Sequence, residues 1–305
     1  MNARAWTMLV ALSILWGGSF FFVSVAVREI PPLTLVTLRV AIAAAALMIA
    51  LRALPIALSW TAPVLVACAG MGLLNNAIPF ALIVWGQQHI ASGLASILNA
   101  ATPFFTVLVA HALTEERATA PRLAGIAIGF AGVTVMLGPD LLGGLGAAGW
   151  AALAILGGTL SYAFAGVWGR RFRALGVAPL GAAAGQTAAS TLILLPLAIG
   201  FEAPWTLPMP SGTAVAATLA LALGSTALAY WIYFRILETA GPVNLLLVTL
   251  LIPVTAIALG VLVLGEALLP RHVAGLALVA TGLLVLDGRV LRPWRGHSRP
   301  PALRS

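Results

Sequence analysis

The chain has 305 residues, of which 61% are hydrophobic and only 8% are charged. Soluble domains carry about 25% charged residues, so this composition excludes an ordinary water-soluble fold and indicates an integral membrane protein. The formal net charge is +8 and every basic residue is an arginine. Because the arginines fall between apolar runs, they favour membrane topology over nucleic-acid binding.

Ten apolar runs have the length of about 20 residues that crosses a bilayer as a helix. The first run is too long for the core of a signal peptide, so we interpret it as an uncleaved span. The loops between runs are too short to hold a soluble domain. The predicted spans are 5–27, 33–52, 62–86, 92–112, 120–138, 148–169, 179–200, 211–235, 241–264 and 270–288.

The distribution of arginines predicts the orientation of these spans. With a cytoplasmic N-terminus, every arginine in a loop or tail faces the cytoplasm except Arg28 and Arg271, and Arg39 lies inside a span. This asymmetry follows the positive-inside rule. The sequence therefore predicts a multi-pass protein of a bacterial-type inner (plasma) membrane. Both termini are cytoplasmic in this prediction, and residues 289–305 form a basic tail.

The two halves of the chain share an ordered set of residues at a constant offset. The matched pairs are Pro103 with Pro253, Glu116 with Glu266, Gly125 with Gly275, and Gly132 with Gly282. Because each half contains an odd number of spans, the second half enters the membrane from the opposite side. The predicted fold is an all-α integral membrane protein with ten transmembrane helices in two inverted five-helix repeats (5+5). Such repeats are typical of transporters; a duplication kept only for stability is the alternative.

The segment ALSILWGGSFFFVSVAVREIPPLTLVTLRVAIAAAAL resembles the first two helices of the EamA family, within the drug/metabolite transporter superfamily. Its features are a W-G-x-x-F motif, a loop with prolines and a helix with one arginine. In both halves, a helix that ends in glutamate precedes a helix with G-x6-G spacing. The resemblance covers two repeats, 8–138 and 149–287. It implies a ten-helix transporter with a central cavity that moves small metabolites such as amino acids, often outward.

The resemblance also bears on the energy source for transport. Related small multidrug transporters carry a proton-coupling glutamate in their first helix. The polar residues of the first span here are Ser13, Ser19 and Ser24, so proton antiport through such a carboxylate is not expected. Facilitated diffusion and coupling through another group both stay open.

A solute that crosses a dry bilayer needs polar partners at mid-depth. In the fourth span, Ser96, Asn99 and Pro103 share one helical stripe, and Pro103 cannot donate to the Asn99 carbonyl. We predict that this stripe lines a cavity; a kinked helix whose polar groups contact its neighbours is the alternative. The predicted cavity residues are Trp16, Ser19, Arg39, Asn75, Asn76, Pro79, Ser96, Asn99, Pro103, Ser161, Tyr162, Gln186, Ser225, Tyr230, Trp231, Thr249 and Pro253.

Arg39 is the most expensive residue to place in the bilayer, at about 2.5–3.5 kcal/mol for an arginine near a helix centre. No carboxylate lies at the same depth among the predicted spans. Its partners are therefore helix-end carbonyls, asparagine side chains, water or an anionic group of a solute, which suits a guanidinium well. A purely structural hydrogen-bonding hub is the alternative. The aligned residue of the second half is the uncharged Gln186.

Structural roles are predicted for four of the repeated residues. Glu116 and Glu266 are expected to accept hydrogen bonds from the N–H groups of the helix that follows each of them. Gly125 and Gly275 are expected to allow close helix contact.

The acidic residues predict no catalytic site, because all 8 lie at span ends or in loops. A membrane-embedded enzyme and an uncoupled facilitator or channel are the alternatives to a transporter. No cofactor, metal or nucleic-acid partner is expected. The expected partners are a small-molecule solute and the lipid bilayer, and the expected assembly is a monomer or weak homodimer.

Overall fold

A computed structural model describes residues 3–54, 59–142, 146–245 and 247–288. The predicted basic tail lies outside these ranges. Within them there is no strand, and ten helices are long and apolar enough to span a membrane. They are α1 Ala3–Ala26, α2 Pro32–Ala53, α3 Ala62–Gly86, α4 Ser92–Leu113, α5 Ala120–Gly138, α6 Ala147–Ala174, α7 Pro179–Glu202, α8 Gly212–Leu237, α9 Leu247–Leu264 and α10 Pro270–Asp287.

Prolines and glycines explain several of these boundaries. Pro32, Pro179 and Pro270 occupy the first turn of α2, α7 and α10, where a missing N–H costs no hydrogen bond. Gly288 ends α10 at a φ of 70°, which glycine adopts without strain. One predicted break is wrong: the helix Ala229–Leu245 continues through the stretch in which a loop was expected after residue 235.

The packing of the helices follows the symmetry of the repeat. When the two halves of the chain are interchanged, each packed pair of helices becomes another packed pair. α1 packs on α9 as α6 packs on α4, and α1 packs on α8 as α6 packs on α3. α2 packs along α7, and α5 packs along α10. The two helices of each of these pairs are repeat counterparts, so interchanging the halves leaves the pair unchanged. This pattern confirms the predicted inverted repeat, with a pseudo-two-fold axis through the α2–α7 and α5–α10 pairs.

The α5–α10 contact is a seam of backbone against backbone. A methyl group added at Gly125 would lie 2.7 Å from the carbonyl oxygen of Gly282, and one added at Gly132 would lie 2.7 Å from that of Gly275. Helices approach this closely only where both surfaces lack side chains. The seam therefore joins the two repeats directly.

Three spans depart from regular α-helical geometry. α3 widens into a π-helical segment at Leu73–Ala77 and α8 at Ala220–Leu228, and these are the third helices of their repeats. α4 is broken into Ser92–Asn99 and Thr102–Leu113, whereas its counterpart α9 is continuous although Pro253 lies inside it. Wide turns of this kind occur frequently at functional sites.

Apolar side chains cover the outside of the bundle as well as filling its inside. Leu192, Phe201 and Leu262 are all more than 70% exposed, which suits contact with lipid. We define the terminal face as the side on which α1 begins and α10 ends, and the distal face as the opposite side.

Candidate functional site

A hydrogen-bonded polar cluster lies where α2 and α3 meet α7 and α8. The side-chain amide of Asn75 donates to Gln186 Oε1 and to the Tyr230 hydroxyl, both at 3.1 Å. The Tyr230 hydroxyl donates to Asn76 Oδ1 at 2.7 Å, and Asn76 Nδ2 donates to Ser190 Oγ at 2.9 Å. Each of these bonds joins the first repeat to the second.

The π-helical segment of α3 explains why two adjacent asparagines serve one cluster. Its wide turn is closed by the N–H of Ile78, which donates to the carbonyl of Leu73, and Pro79 follows without an N–H of its own. The Ser161 hydroxyl from α6 donates to the Leu74 carbonyl at 2.7 Å. Ser161 therefore satisfies the backbone of the wide turn.

Arg39 is held at this site without an acidic partner. Its Nε donates to Thr226 Oγ1 at 2.9 Å, and its Cζ lies 3.7 Å from the centroid of the Phe80 ring. The residue is 7% exposed, and Tyr162 and Tyr230 lie close enough to interact electrostatically with its guanidinium group. Among the described residues, neither Nη nitrogen has a hydrogen-bond partner, and neither is sealed from solvent.

All three tyrosines of the chain lie at or beside this cluster. Tyr162 and Tyr233 both lie within Coulombic range of Tyr230. The Trp16 ring of α1 contacts the Tyr233 ring at a centroid distance of 5.6 Å. Ser19 donates to the Trp16 carbonyl at 2.6 Å, so its hydroxyl proton is used inside its own helix. The aromatic part of the site thus draws on α1, α6 and α8.

The stripe expected on α4 is largely satisfied by its own backbone. The Asn99 carbonyl is not free, contrary to expectation, because the helix breaks there and the Thr102 hydroxyl donates to it at 2.7 Å. Ser96 is buried and donates to the Gly93 carbonyl at 2.7 Å. The exception is Asn99 Oδ1, which is fully buried and has no hydrogen-bond partner among the described residues.

Like Asn99 Oδ1, Ser225 Oγ is fully buried and has no hydrogen-bond partner within the described part of the chain. Buried polar atoms are nearly always satisfied, and each of these two oxygens can accept a hydrogen bond from water or a solute. The described residues provide no hydrogen bond that joins Asn99 to the cluster around Asn75.

Trp231 makes no contact with the cluster among the described residues, and its place in the cavity stays a prediction. It is 46% exposed, and the Arg235 guanidinium lies 5.8 Å from its ring. Adjacent residues of a helix point about 100° apart, so burial of Tyr230 turns Trp231 away. The remaining predicted residues give no polar contact to the cluster within the described ranges: Pro103 and Pro253 are buried and Thr249 is half-buried.

Two small crevices lie away from the cluster. One of about 30 Å³ lies beside Pro103, Leu250 and Asp287, and one of about 10 Å³ lies between Leu94 and Glu266. Neither is large enough for a solute the size of an amino acid, and neither is lined by a residue of the cluster.

The repeated glutamates bind different partners from those expected. Glu266 accepts hydrogen bonds from the Ser92 N–H at 2.8 Å, the Ser92 hydroxyl at 2.9 Å and the Gly93 N–H at 3.2 Å. It therefore caps α4 rather than the following helix, α10. Glu116 pairs instead with Arg170 at 2.6 Å, where both side chains are more than half exposed.

Two further carboxylates bind helix starts at the distal face. Glu202 accepts from the N–H groups of Leu33 at 2.8 Å and Thr34 at 2.7 Å, and from the Thr34 hydroxyl at 2.7 Å. Glu29 accepts from the Ser211 N–H at 2.6 Å and its hydroxyl at 2.7 Å. These bonds from Ser211 lower the pKa of the Glu29 carboxyl below its ordinary value.

The two repeats have counterparts among known proteins. The model of the EamA-like transporter family matches residues 4–138 and 149–286. The chain belongs to the EamA-like transporter family. This confirms the resemblance noted in the sequence and places both matched regions on the two five-helix repeats.

A solved structure supports the fold of this EamA-like chain. Described only as the crystal structure of a protein, it is 24% identical in sequence, covers 95% of this chain and 98% of its own, and has a TM-score of 0.66. At that identity the likeness shows the fold alone. No curated protein is similar enough in sequence to count as a relative. The family makes the chain a multi-pass membrane protein and a transporter of small solutes.

Several residues of this EamA-like site were missed in the sequence. Tyr233 follows Tyr230 by one helical turn, a spacing that places both on one face. Phe80 and Thr226 hold Arg39, and Ser190 completes the hydrogen-bonded chain. Chemically, the cluster offers one cation, several amide and hydroxyl groups, and aromatic surface. Such a set can bind a solute.

Proposed function

We propose that this EamA-like transporter exports amino acids or related partly apolar solutes by alternating access. The binding site in this proposal is the polar cluster of Arg39, Asn75, Gln186 and Tyr230, with Asn99 Oδ1, which is buried and has no partner among the described residues, as a further acceptor for the solute. The observation that supports it most is the position of the cluster: every hydrogen bond named there joins the two repeats. A solute bound between inverted repeats can be exposed to either side when one repeat rocks against the other.

The two membrane faces support a mechanism with unequal gates. On the distal face, three carboxylates tie one repeat to helix starts of the other: Glu29, Glu202 and Glu266. On the terminal face, the contact described for a repeated glutamate is the exposed pair of Glu116 and Arg170. In the proposal, the structure is closed towards the outside, and the distal contacts break when the solute is released.

The chemistry of the cluster supports a solute that is partly polar and partly apolar. Arg39, Asn75 and Gln186 provide donors and acceptors, while Trp16 and Tyr233 provide aromatic surface. We further propose that the terminal face is cytoplasmic, since the arginine-rich loops lie there. Both termini then lie inside the cell, as the sequence predicts for a bacterial-type inner membrane.

The test is saturable counterflow of radiolabelled amino acids in proteoliposomes that hold the full chain. We expect Arg39→Ala and Asn99→Ala to reduce flux by about 10-fold or more, which corresponds to loss of one good polar contact to the solute. Membrane content should change little. Matched controls are Arg122→Ala and Thr281→Ala, since both residues are exposed and should keep normal flux. Normal flux in both site variants would overturn the site, and flux that never saturates would indicate an uncoupled facilitator or channel.

A further inference from the structure

We infer that Arg39 holds the anionic group of the solute, and that the site recognises the carboxylate of an apolar monocarboxylate without requiring its amine. The inference rests on the proposed function, because it describes how the same cluster selects its solute. It describes a narrower property, the selectivity of the site: amino acids and the corresponding acids without the amine bind alike, and analogues without a carboxylate bind more weakly.

The guanidinium of Arg39 is oriented so that one end can receive a ligand. Thr226 occupies the Nε side at 2.9 Å, and Phe80 covers one face of the plane at 3.7 Å. These contacts leave the end with the two Nη nitrogens, which have no partner among the described residues and are not completely buried. That end is a planar fork of parallel N–H donors, which matches the two oxygens of a carboxylate.

The charge of Arg39 favours the same ligand. The residue is only 7% exposed, and no acidic side chain of the described residues contacts it. A buried cation without a counter-ion is costly, and a bound carboxylate neutralises it. A solute with a positive charge alone would bring two like charges into a poorly hydrated site, so the site selects against amines.

The described part of the cluster offers no charged partner for an ammonium group. Two of its amide oxygens already accept hydrogen bonds, Gln186 Oε1 from Asn75 and Asn76 Oδ1 from Tyr230, which leaves Asn75 Oδ1 as an uncharged acceptor among the described residues. No described carboxylate lies in the cluster to replace the water that an ammonium group loses. Binding of an amino acid therefore depends mainly on its carboxylate and its apolar side chain, which Phe80 and the neighbouring aromatic residues can contact.

The experiment uses four compounds of one shape with the purified full chain. L-leucine has both charged groups, 2-hydroxy-4-methylpentanoate lacks the amine, leucinamide lacks the carboxylate charge, and isopentylamine lacks the carboxyl group altogether. Each is tested for stabilisation of the protein against heat and for competition in counterflow. We expect the two carboxylates to bind within a few-fold of each other, and the two amines to bind at least about 10-fold more weakly.

Variants of Arg39 then test the cause of that preference. Arg39→Gln should abolish it, so that leucine and leucinamide bind equally, and Arg39→Lys should keep part of it, since the charge stays while the fork is lost. Arg122→Gln, at an exposed position, is the control. If Arg39→Gln does not fold, Arg39→Lys and the series on the natural protein still decide.

The outcomes separate this inference from the proposed function. Equal competition by leucinamide or isopentylamine in the natural protein would overturn the role of Arg39, while transport of partly apolar solutes would stand. A preference for carboxylates that survives Arg39→Gln would overturn it too. If none of the four compounds binds and no amino acid is transported, both the inference and the proposed function fall.

Discussion

The two helix pairs on the pseudo-two-fold axis, α5–α10 and α2–α7, use the inverted repeat in opposite ways. In α5–α10 the two repeats contribute the same residues, so Gly125 meets Gly282 and Gly132 meets Gly275. In α2–α7, Arg39 and Gln186 follow the proline that starts each helix by the same number of residues, yet one is charged and the other is not. Identical residues form a symmetric structural contact, whereas different residues form a polar site whose charge lies on one repeat.

The same contrast appears at the helix ends. Glu116 and Glu266 are repeat counterparts, but Glu266 binds the start of α4 through three hydrogen bonds and Glu116 forms an exposed ion pair. A perfectly symmetric molecule would close both faces equally. The difference between the two glutamates therefore corresponds to the difference between the two faces.

The largest expected effect breaks the symmetric pair. In Gly282→Ala, the new methyl group would lie 2.6 Å from the Gly125 carbonyl oxygen and 2.7 Å from the Gly129 nitrogen. Because the atoms that the methyl group would contact belong to the backbone of α5 and cannot move aside, we expect the free energy of unfolding to fall by about 1–3 kcal/mol. The measurement is thermal unfolding in detergent. Gly166→Ala is the control, because nothing lies within 4 Å of its added methyl group. Equal stability of the two variants would contradict the seam.

A smaller effect sharpens the contrast between the two glutamates. Glu266→Gln removes the negative charge that accepts three hydrogen bonds. We expect the closed state of the distal face to lose about 1.4 kcal/mol of stability, so that this face opens about 10-fold more often. The readout is labelling of Ala91→Cys by an impermeant maleimide after the chain's single cysteine, Cys68, is changed to alanine. Glu116→Gln should change labelling less than about 5-fold, since exposed pairs contribute about 0.2–1 kcal/mol. Equal labelling of both variants would refute the unequal gates.

The smallest effect concerns the exposed distal contact of Glu29. Hydrogen bonds from Ser211 lower the pKa of Glu29 below the ordinary 4.5, so the folded state binds its proton less readily than the unfolded state. The contact therefore stabilises the protein above that pH, and its contribution is lost as the pH falls through the lowered pKa. Between about pH 5 and pH 3, the melting temperature of the natural protein should fall more than that of Glu29→Gln. Glu115→Gln, also exposed, should follow the natural protein.

Most of the fold could be predicted because a bilayer imposes strong constraints on a sequence. Span length fixes the helices and the Pro103–Pro253 and Glu116–Glu266 matches fix the repeat; the family match and helix pairing confirm both results. The partners of the glutamates could not be predicted. A local rule assigns Glu266 to the helix that follows it, but α4 is brought close by tertiary packing. Only the structure shows that contact.

The site was predicted less well, and the reason is local geometry. Asn75, Arg39 and Tyr230 were found because polar residues are rare in these spans. Tyr233 was left out, since the sequence does not show which face of α8 turns towards the cluster. The period of 3.6 residues applies to a regular α-helix, and α8 departs from it at Ala220–Leu228. The Thr102 hydroxyl that satisfies the Asn99 carbonyl was hidden for a similar reason, the break in α4.

The π-helical segment of α8 also sets a limit on how this protein can change in evolution. A π turn contains an additional residue compared with an α turn, so the loss of a single codon between residues 220 and 228 would let the helix return to regular geometry. The residues after such a deletion would keep nearly the same orientation, because the π turn takes up its additional residue within one turn. A deletion in a regular part of the helix would instead rotate everything after it by about 100°, which is the angle that separates Tyr230 from Trp231. Loss of one residue from α8 before Tyr230 is therefore expected to keep the site only where it falls between residues 220 and 228.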